Sequence, residues 1–463
     1  MRMLVLLLTT LILSAPVSAL RLDPLPDAAA WPAAGPPLSR DALISLSLEL
    51  SGAPPDTVPA YKAVLDRWDA EFAAQPAEPD EAKRAEALLL FLHSHLKGYS
   101  TLQTRLDVLI DRGTYNCVSS ALAYMILGRD AGLDVQAVAT TDHAFALVRL
   151  KSGRDVDVET TTKYGFDPGT KNEFTNSFGQ TGFVYVPPGN YAQRRPINDR
   201  QLLGLLVQNT MAEFQRTGQP ESAVGPAIDR WTFEGTPEAF HTLVDGFVNY
   251  ASWLNGRRDY LRGLDLVDKM VVWTGPVPEA KQLAFAFLNN QVNRLLDTQD
   301  WAGAQALTLA WKNRGFLTDD QCSQTLALIA DSSLAVAVKT LPPAEAAARV
   351  EEAFAQGTVT SARRQELLSF AYGQEVQRVA SSQGAQAAWA YLGTLPAEVQ
   401  ALPALTKARA VYAYNWSVDV HNRFAQLWNA GKRDEARQLL TDSLATLPDS
   451  TLLKRDLALS QQG

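Results

Sequence analysis

The sequence predicts an α+β domain with an antiparallel sheet, followed by an all-α helical-repeat solenoid. Three observations carry that prediction. Strongly helical stretches between Glu81 and Gly132 give way to short runs of β-branched and aromatic residues with partial alternation, and helices first, strands after, is an α+β order. Beyond Asp199 nearly every segment has helical periodicity. Within that region a short turn pattern recurs between apolar helices, as it does in stacked helical repeats.

The elements follow in chain order. In residues 1–19 Arg2 supplies a positive start, Leu4 to Leu13 an apolar run and Val17-Ser18-Ala19 a small-residue cleavage site, a pattern that predicts a secretory signal peptide. The apolar run is too short to cross a bilayer, and no later stretch approaches the roughly 20 apolar residues a spanning helix needs. No cysteine stands beside the cleavage site to take a lipid. The expectation is an exported chain, periplasmic or extracellular, without membrane insertion. Residues 20–80 form a Pro/Ala-rich lead-in, in which amphipathic patches at Asp41 to Leu50 and Val58 to Phe72 predict two short helices.

Residues 81–170 are the predicted α+β domain. EAKRAEALLLFLHSHL, from Glu81, is built of strong helix formers with apolar residues on successive turns, and Gly98 stops it. A second helix follows the capping residue Asn116 through CVSSALAYMILGRDAG, with Gly132 just past its end. VQAVAT, HAFALVRL and DVDVETT then predict strands, and Lys151-Ser152-Gly153-Arg154 is a polar turn between the last two. Residues 171–198, dominated by Gly, Pro, Asn and aromatic side chains, predict a linker or wrapping loop.

Residues 199–463 carry the recurring turns: GQPESA at Gly218 to Ala223, GRRDYL at Gly256 to Leu261, QDWAGA at Gln299 to Ala304 and GKRDEA at Gly431 to Ala436. A flexible residue reverses the chain, and five residues on a small one lets the second helix pack closely. In the last copy Gly431, Ala436 and Pro448 have spacings that resemble the tetratricopeptide repeat. Trp253, Trp301 and Trp428 are first of all packing residues there, and a concave groove of such a solenoid suits a protein or peptide partner.

With 46% hydrophobic and 20% charged residues the composition is that of an ordinary globular chain, and a formal charge of -8 provides no polybasic surface for nucleic acid. Two cysteines, Cys117 and Cys322, make no disulfide framework. His93 and His95, two apart on a helix, face different directions and make a poor metal chelate, so neither a metal nor a cofactor is assigned.

Taken alone, Cys117 would read as a small buried hydrophobe, His143 as a strand-end polar residue and Glu159 as a solvated terminus. Their order gives them a joint meaning. Cys117 sits in the first turn of its helix, where unpaired N–H groups and the dipole stabilise negative charge on sulfur. His143 opens the next strand but one, and Glu159 closes the strand after it, with Asp157 on the same side by alternation. Nucleophile, proton acceptor and orienting acid make a complete acyl-transfer set. The Cys117 amide would point at the oxyanion, and Tyr115, Gln103 and a tryptophan elsewhere each offer a second donor.

NCVSSALAYMILGRDAGLDV, TTDHAFALVRL and DVDVETTTKYGF together resemble the transglutaminase-like superfamily, whose core is papain-like. That resemblance covers about Glu81 to Asp167. It implies catalytic roles for Cys117, His143 and an acid. The family's third residue is usually Asp, whereas the matching position is Glu159, with Asp157 two residues earlier as the second carboxylate. The family often has an aromatic residue directly after the histidine, and here Ala144 precedes Phe145.

The function these features lead to is that of an exported cysteine peptidase or transglutaminase-like acyltransferase acting on peptide or protein substrates, with cell-envelope components natural to the compartment. Hydrolysis and transfer to an amine share every step up to the acyl-enzyme. The alternative is a non-catalytic transglutaminase-like scaffold whose helical repeats bind a partner protein or peptide.

Overall fold

Among the described residues four α-helices precede the first strand. α1 (Pro26–Ala30), α2 (Arg40–Leu50), α3 (Val58–Ala73) and α4 (Glu81–His95) start where residue types favour a start: Ser39 accepts the Ala42 N–H ahead of α2, and Asp80 accepts those of Ala82 and Lys83 ahead of α4. These facts come from a computed structural model that describes residues 20–168 and 193–462. The expected signal peptide, and most of the expected linker, lie outside the described residues. Among the described residues no helix is long and apolar enough to cross a membrane.

Three short elements that the sequence pattern did not announce then set up the site. β1 (Gly98–Tyr99) pairs in parallel with β2 (Thr114–Tyr115), and α5 (Leu106–Arg112) lies between them. α6 (Cys117–Asp130) follows at once, with residues 118–128 buried all round it. Tyr124 is fully buried, and its hydroxyl donates to the Ala85 carbonyl of α4 at 2.9 Å, fixing one helix on the other.

The sheet packs against α6. β3 (Asp134–Ala139), β4 (Ala144–Arg149) and β5 (Asp155–Val158) run antiparallel in the order β5-β4-β3, with Ala139 opposite Ala144 and Leu147 opposite Asp157. These are the three strands read from the sequence. A fourth, β6 (Arg195–Ile197), completes the other edge beside β3. The linker expected over 171–198 therefore contains a strand at its end. Pro196 concealed it, since proline cannot donate to a ladder and is tolerated on an edge strand.

Helices make up the rest. α7 (Asp199–Arg216), α8 (Pro220–Glu234), α9 (Pro237–Gly256), α10 (Tyr260–Thr274) and α11 (Pro278–Asp297) follow β6. After them come α12 (Trp301–Asn313), α13 (Asp319–Thr340), α14 (Pro343–Ala355), α15 (Ser361–Gln383), α16 (Ala385–Thr394), α17 (Ala397–Gln400), α18 (Pro403–Asn429), α19 (Arg433–Thr446) and α20 (Thr451–Gln462). The chain forms two compact units, one ending at Phe287 and one beginning at Leu288. In each, helices pack chiefly on their neighbours in sequence, which gives the C-terminal region its solenoid-like character.

The recurring turns explain that packing, with one shift of frame. Gly218, Gln299 and Gly431 adopt positive φ, and five residues on Ala223, Ala304 and Ala436 are fully buried. In GRRDYL the left-handed residue is Arg258, not Gly256, so the fifth residue on is Gly263. Leu261, at the position expected to be small, is exposed. A Cβ on Gly263 would fall 2.2 Å from a Phe287 ring carbon, so the close approach is made there instead.

Candidate active site

The parallel pairing of β1 with β2 sets Tyr99 beside Tyr115, two residues before Cys117. Asn116 then leaves the strand in extended conformation and caps α6. Its side-chain oxygen accepts the Val118 and Ser119 N–H groups, each at 3.0 Å, while Ser119 Oγ accepts the Asn116 N–H at 3.0 Å. That capping box serves its neighbours and leaves the Cys117 N–H donating to no described residue. Cys117 is half-buried, and both it and Cys322 are free thiols.

His143 ends the β3–β4 turn, closed by the Thr140 N–H donating to its carbonyl at 2.9 Å. His143 is 6% exposed and Glu159 is 7% exposed, so water is largely kept from both. The Nε2–H of His143 donates to Glu159 Oε2 at 2.7 Å. This leaves Nδ1 for Cys117, whose hydrogen bonding and charge also act on the ring. Burial opposes charge on His143, yet the Glu159 carboxylate and Cys117 together outweigh it and hold the imidazolium up to about 10. Burial likewise opposes charge on Glu159, but His143 and Thr161 hold its carboxyl below the usual range.

Glu159 is fixed by a loop attached on every side. Its Oε1 accepts the Thr161 N–H at 3.0 Å and the Thr161 hydroxyl at 2.7 Å, so both oxygens are committed. Ser120 of α6 shares a hydrogen bond with the Thr160 hydroxyl at 2.8 Å. His93 of α4 lies 3.0 Å from the Thr160 carbonyl through Nε2, and the Tyr115 hydroxyl donates to the Thr161 carbonyl at 3.0 Å. The chain then folds back on itself: the Glu159 N–H donates to the Gly165 carbonyl at 2.8 Å, and a Cβ on Gly165 would fall 2.0 Å from the Glu159 carbonyl oxygen.

Cys117, His143 and Glu159 are therefore brought together. Asp157, the other acid the sequence allowed, is not: it sits opposite Leu147 with its carboxylate 3.5 Å from Arg194 Nε. Strand alternation put both carboxylates on one side, but only Glu159, past the end of the ladder, is near the turn that carries His143. Of the expected oxyanion donors, Tyr115 spends its hydroxyl on Thr161, and Gln103 Nε2 donates to the Arg105 carbonyl at 2.9 Å and lies 3.5 Å from the Thr114 carbonyl. Sequence reasoning missed Thr161, Gly165 and Tyr99. The run of three threonines after Glu159 was the available signal for the first, because short hydroxyl side chains bond locally to backbone and acid. Among the described residues no cluster of three or more His, Cys, Asp or Glu side chains could hold a metal ion.

No family model matches the chain, and no curated protein matches it. Among solved structures it is similar to a crystal structure of menin, described as revealing the binding site for Mixed Lineage Leukemia (MLL) protein. The two align at 11% identity over 82% of this chain and 91% of that one, with a TM-score of 0.28, too low to bear on fold or function.

Proposed function

We propose that this chain is a cysteine-dependent acyl-transfer enzyme with a transglutaminase-like core, a peptidase or acyltransferase acting on peptide or amide groups. The observation that carries the reading is the buried His143 ring, whose Nε2 meets Glu159 at 2.7 Å and which also hydrogen-bonds with Cys117. In this reading the Cys117 sulfur forms a bond to the acyl carbon, the C–N bond breaks, and the departing amine takes its proton from His143. Water or a second amine then gives a proton to His143 as it attacks the thioester, and the C–S bond breaks. Glu159 fixes the ring and stabilises its charge. Export, read from residues 1–19, makes envelope peptides or proteins the substrate class, and the helical repeats are the surface for a protein partner.

The test is iodoacetamide labelling of the full chain carrying Cys322→Ser at neutral pH. The expected result is labelling faster than that of a free cysteine and slowed by His143→Ala. Labelling no faster than free cysteine, and indifferent to His143→Ala, overturns the proposal.

A further inference from the structure

Acyl transfer at Cys117 needs two donors for the oxyanion, and the helix-start amide supplies one. We infer that Tyr99 supplies the other through its hydroxyl, an inference that rests on the acyl-transfer reading proposed above. Its place follows from the β1–β2 pair. Tyr99 and Tyr115 are register partners of a parallel ladder, so they share a face, and their rings meet edge to face at 5.7 Å. The Ser100 N–H donates to the Tyr115 carbonyl at 2.8 Å, which ties the end of β1 to the residue before the Asn116 cap. Tyr99 thus flanks the start of α6.

The other donors near that helix start are committed, Tyr115 to the Thr161 carbonyl and the Gln103 amide to backbone carbonyls. The Tyr99 hydroxyl has no such commitment: it is half-buried and makes no hydrogen bond to a described residue. It also senses the sulfur. Burial first, and then negative charge on Cys117, on Glu159 and on Tyr115, raise its pKa above the ordinary tyrosine range, so the phenol keeps its proton at neutral pH and remains a donor.

When sulfur attacks, the C–S bond forms and the carbonyl π pair moves onto oxygen. The Cys117 N–H and the Tyr99 O–H hold that oxyanion until the pair returns and the bond to the leaving group breaks. The same two groups do nothing for a displacement at a saturated carbon, where no oxyanion forms. This difference separates the role from general support of the nucleophile.

The experiment compares two probes on the full chain carrying Cys322→Ser: p-nitrophenyl acetate, whose attack passes through an oxyanion and releases p-nitrophenolate, and iodoacetamide, whose attack expels iodide without one. Tyr99→Phe keeps the ring against Tyr115 and removes only the donor. The expected result is acylation by p-nitrophenyl acetate slowed about 100-fold, the usual size for a lost oxyanion donor, with the iodoacetamide rate unchanged. Equal acylation rates in the two proteins, or a parallel fall with both probes, overturns the inference about Tyr99. A slow, His143-independent iodoacetamide reaction in the parent protein overturns the acyl-transfer reading itself, and the two failures are thereby distinguishable.

Discussion

Glu159→Gln is the sharpest perturbation of this site, because the structure gives both carboxylate oxygens acceptor roles. Oε1 takes two donors from Thr161 and Oε2 takes the Nε2–H of His143. Glutamine has one acceptor oxygen, so either flip of its amide points an NH2 group at a donor. Raising the ring from its ordinary 6.5 to about 10 corresponds to about 5 kcal/mol of preference for the charged form, at roughly 1.4 kcal/mol per unit. Breaking a buried ion pair typically costs about 3–5 kcal/mol, the same size. The pH dependence fixes the sign. His143, raised on folding, contributes stability that is complete below pH 6.5 and lost as pH climbs to about 10. Glu159, lowered on folding, contributes stability that is present above pH 4.5 and lost as pH falls below it. The parent protein's advantage over Glu159→Gln is therefore widest between those limits and closes towards pH 10. Urea unfolding followed by pulsed hydrogen exchange of the buried segment 118–128 of α6, read by mass spectrometry, reports the unit that carries the site. Equal midpoints throughout, or an advantage that stays constant from pH 6.5 to 10, would refute the reasoning.

Three further outcomes follow from other contacts. Gly165→Ala drives a methyl group onto the Glu159 backbone, and overpacking of this kind costs about 1–3 kcal/mol; the thermal midpoint should fall and the iodoacetamide rate of Cys117 with it. Asp69 and Asp130 share the Arg40 guanidinium at 2.6 Å each, and burial first, then Asp130, pushes Asp69 up to about 7. A carboxyl raised on folding gives stability that is complete below pH 3.8 and lost as pH rises through about 7, so Asp69→Asn should gain about 1 kcal/mol above pH 7 and nothing at acid pH by urea unfolding. Ala436→Leu overfills the contact of α19 with Trp416, Val420 and Phe424, and should lower the melting midpoint of the second unit, followed by calorimetry, through a cost of about 1–3 kcal/mol.

What the sequence disclosed about this site was local or ordered along the chain. Asn116 as cap, Cys117 as the first helical residue and His143 at a strand entrance are all fixed by neighbours within a turn or a hairpin, and the structure has them there. The choice between Glu159 and Asp157 was not readable, because alternation specifies a face and says nothing of offset along the partner strand. Only the register, with Leu147 opposite Asp157, carries Asp157 away from the ring. β1, β2 and β6 are two or three residues long, too short for any period, and β6 joins the sheet across a long stretch of chain. The frame shift in GRRDYL was hidden for a different reason. Gly256 looked like the turning residue, and a left-handed Arg258 is a conformation that sequence argues against.

Stability alone is a poor reason for the constellation to exist. A buried ion pair roughly breaks even against apolar packing of the same volume, so the His143–Glu159 pair adds little that leucine and valine could not supply. A helix start needs a cap, and Asn116 with Ser119 provides it without any help from Cys117. Yet the loop that holds Glu159 is anchored from α4, α6 and β2, and the His143 ring that Glu159 orients meets Cys117, a half-buried residue with an unused amide. A scaffold needs neither the sulfur left reachable nor the amide left unpaired. A nucleophile needs both, since the substrate must reach the sulfur and its oxyanion must find a donor that nothing else has taken. That asymmetry, between what is fixed around Glu159 and what is left open around Cys117, is the feature that most favours chemistry over support.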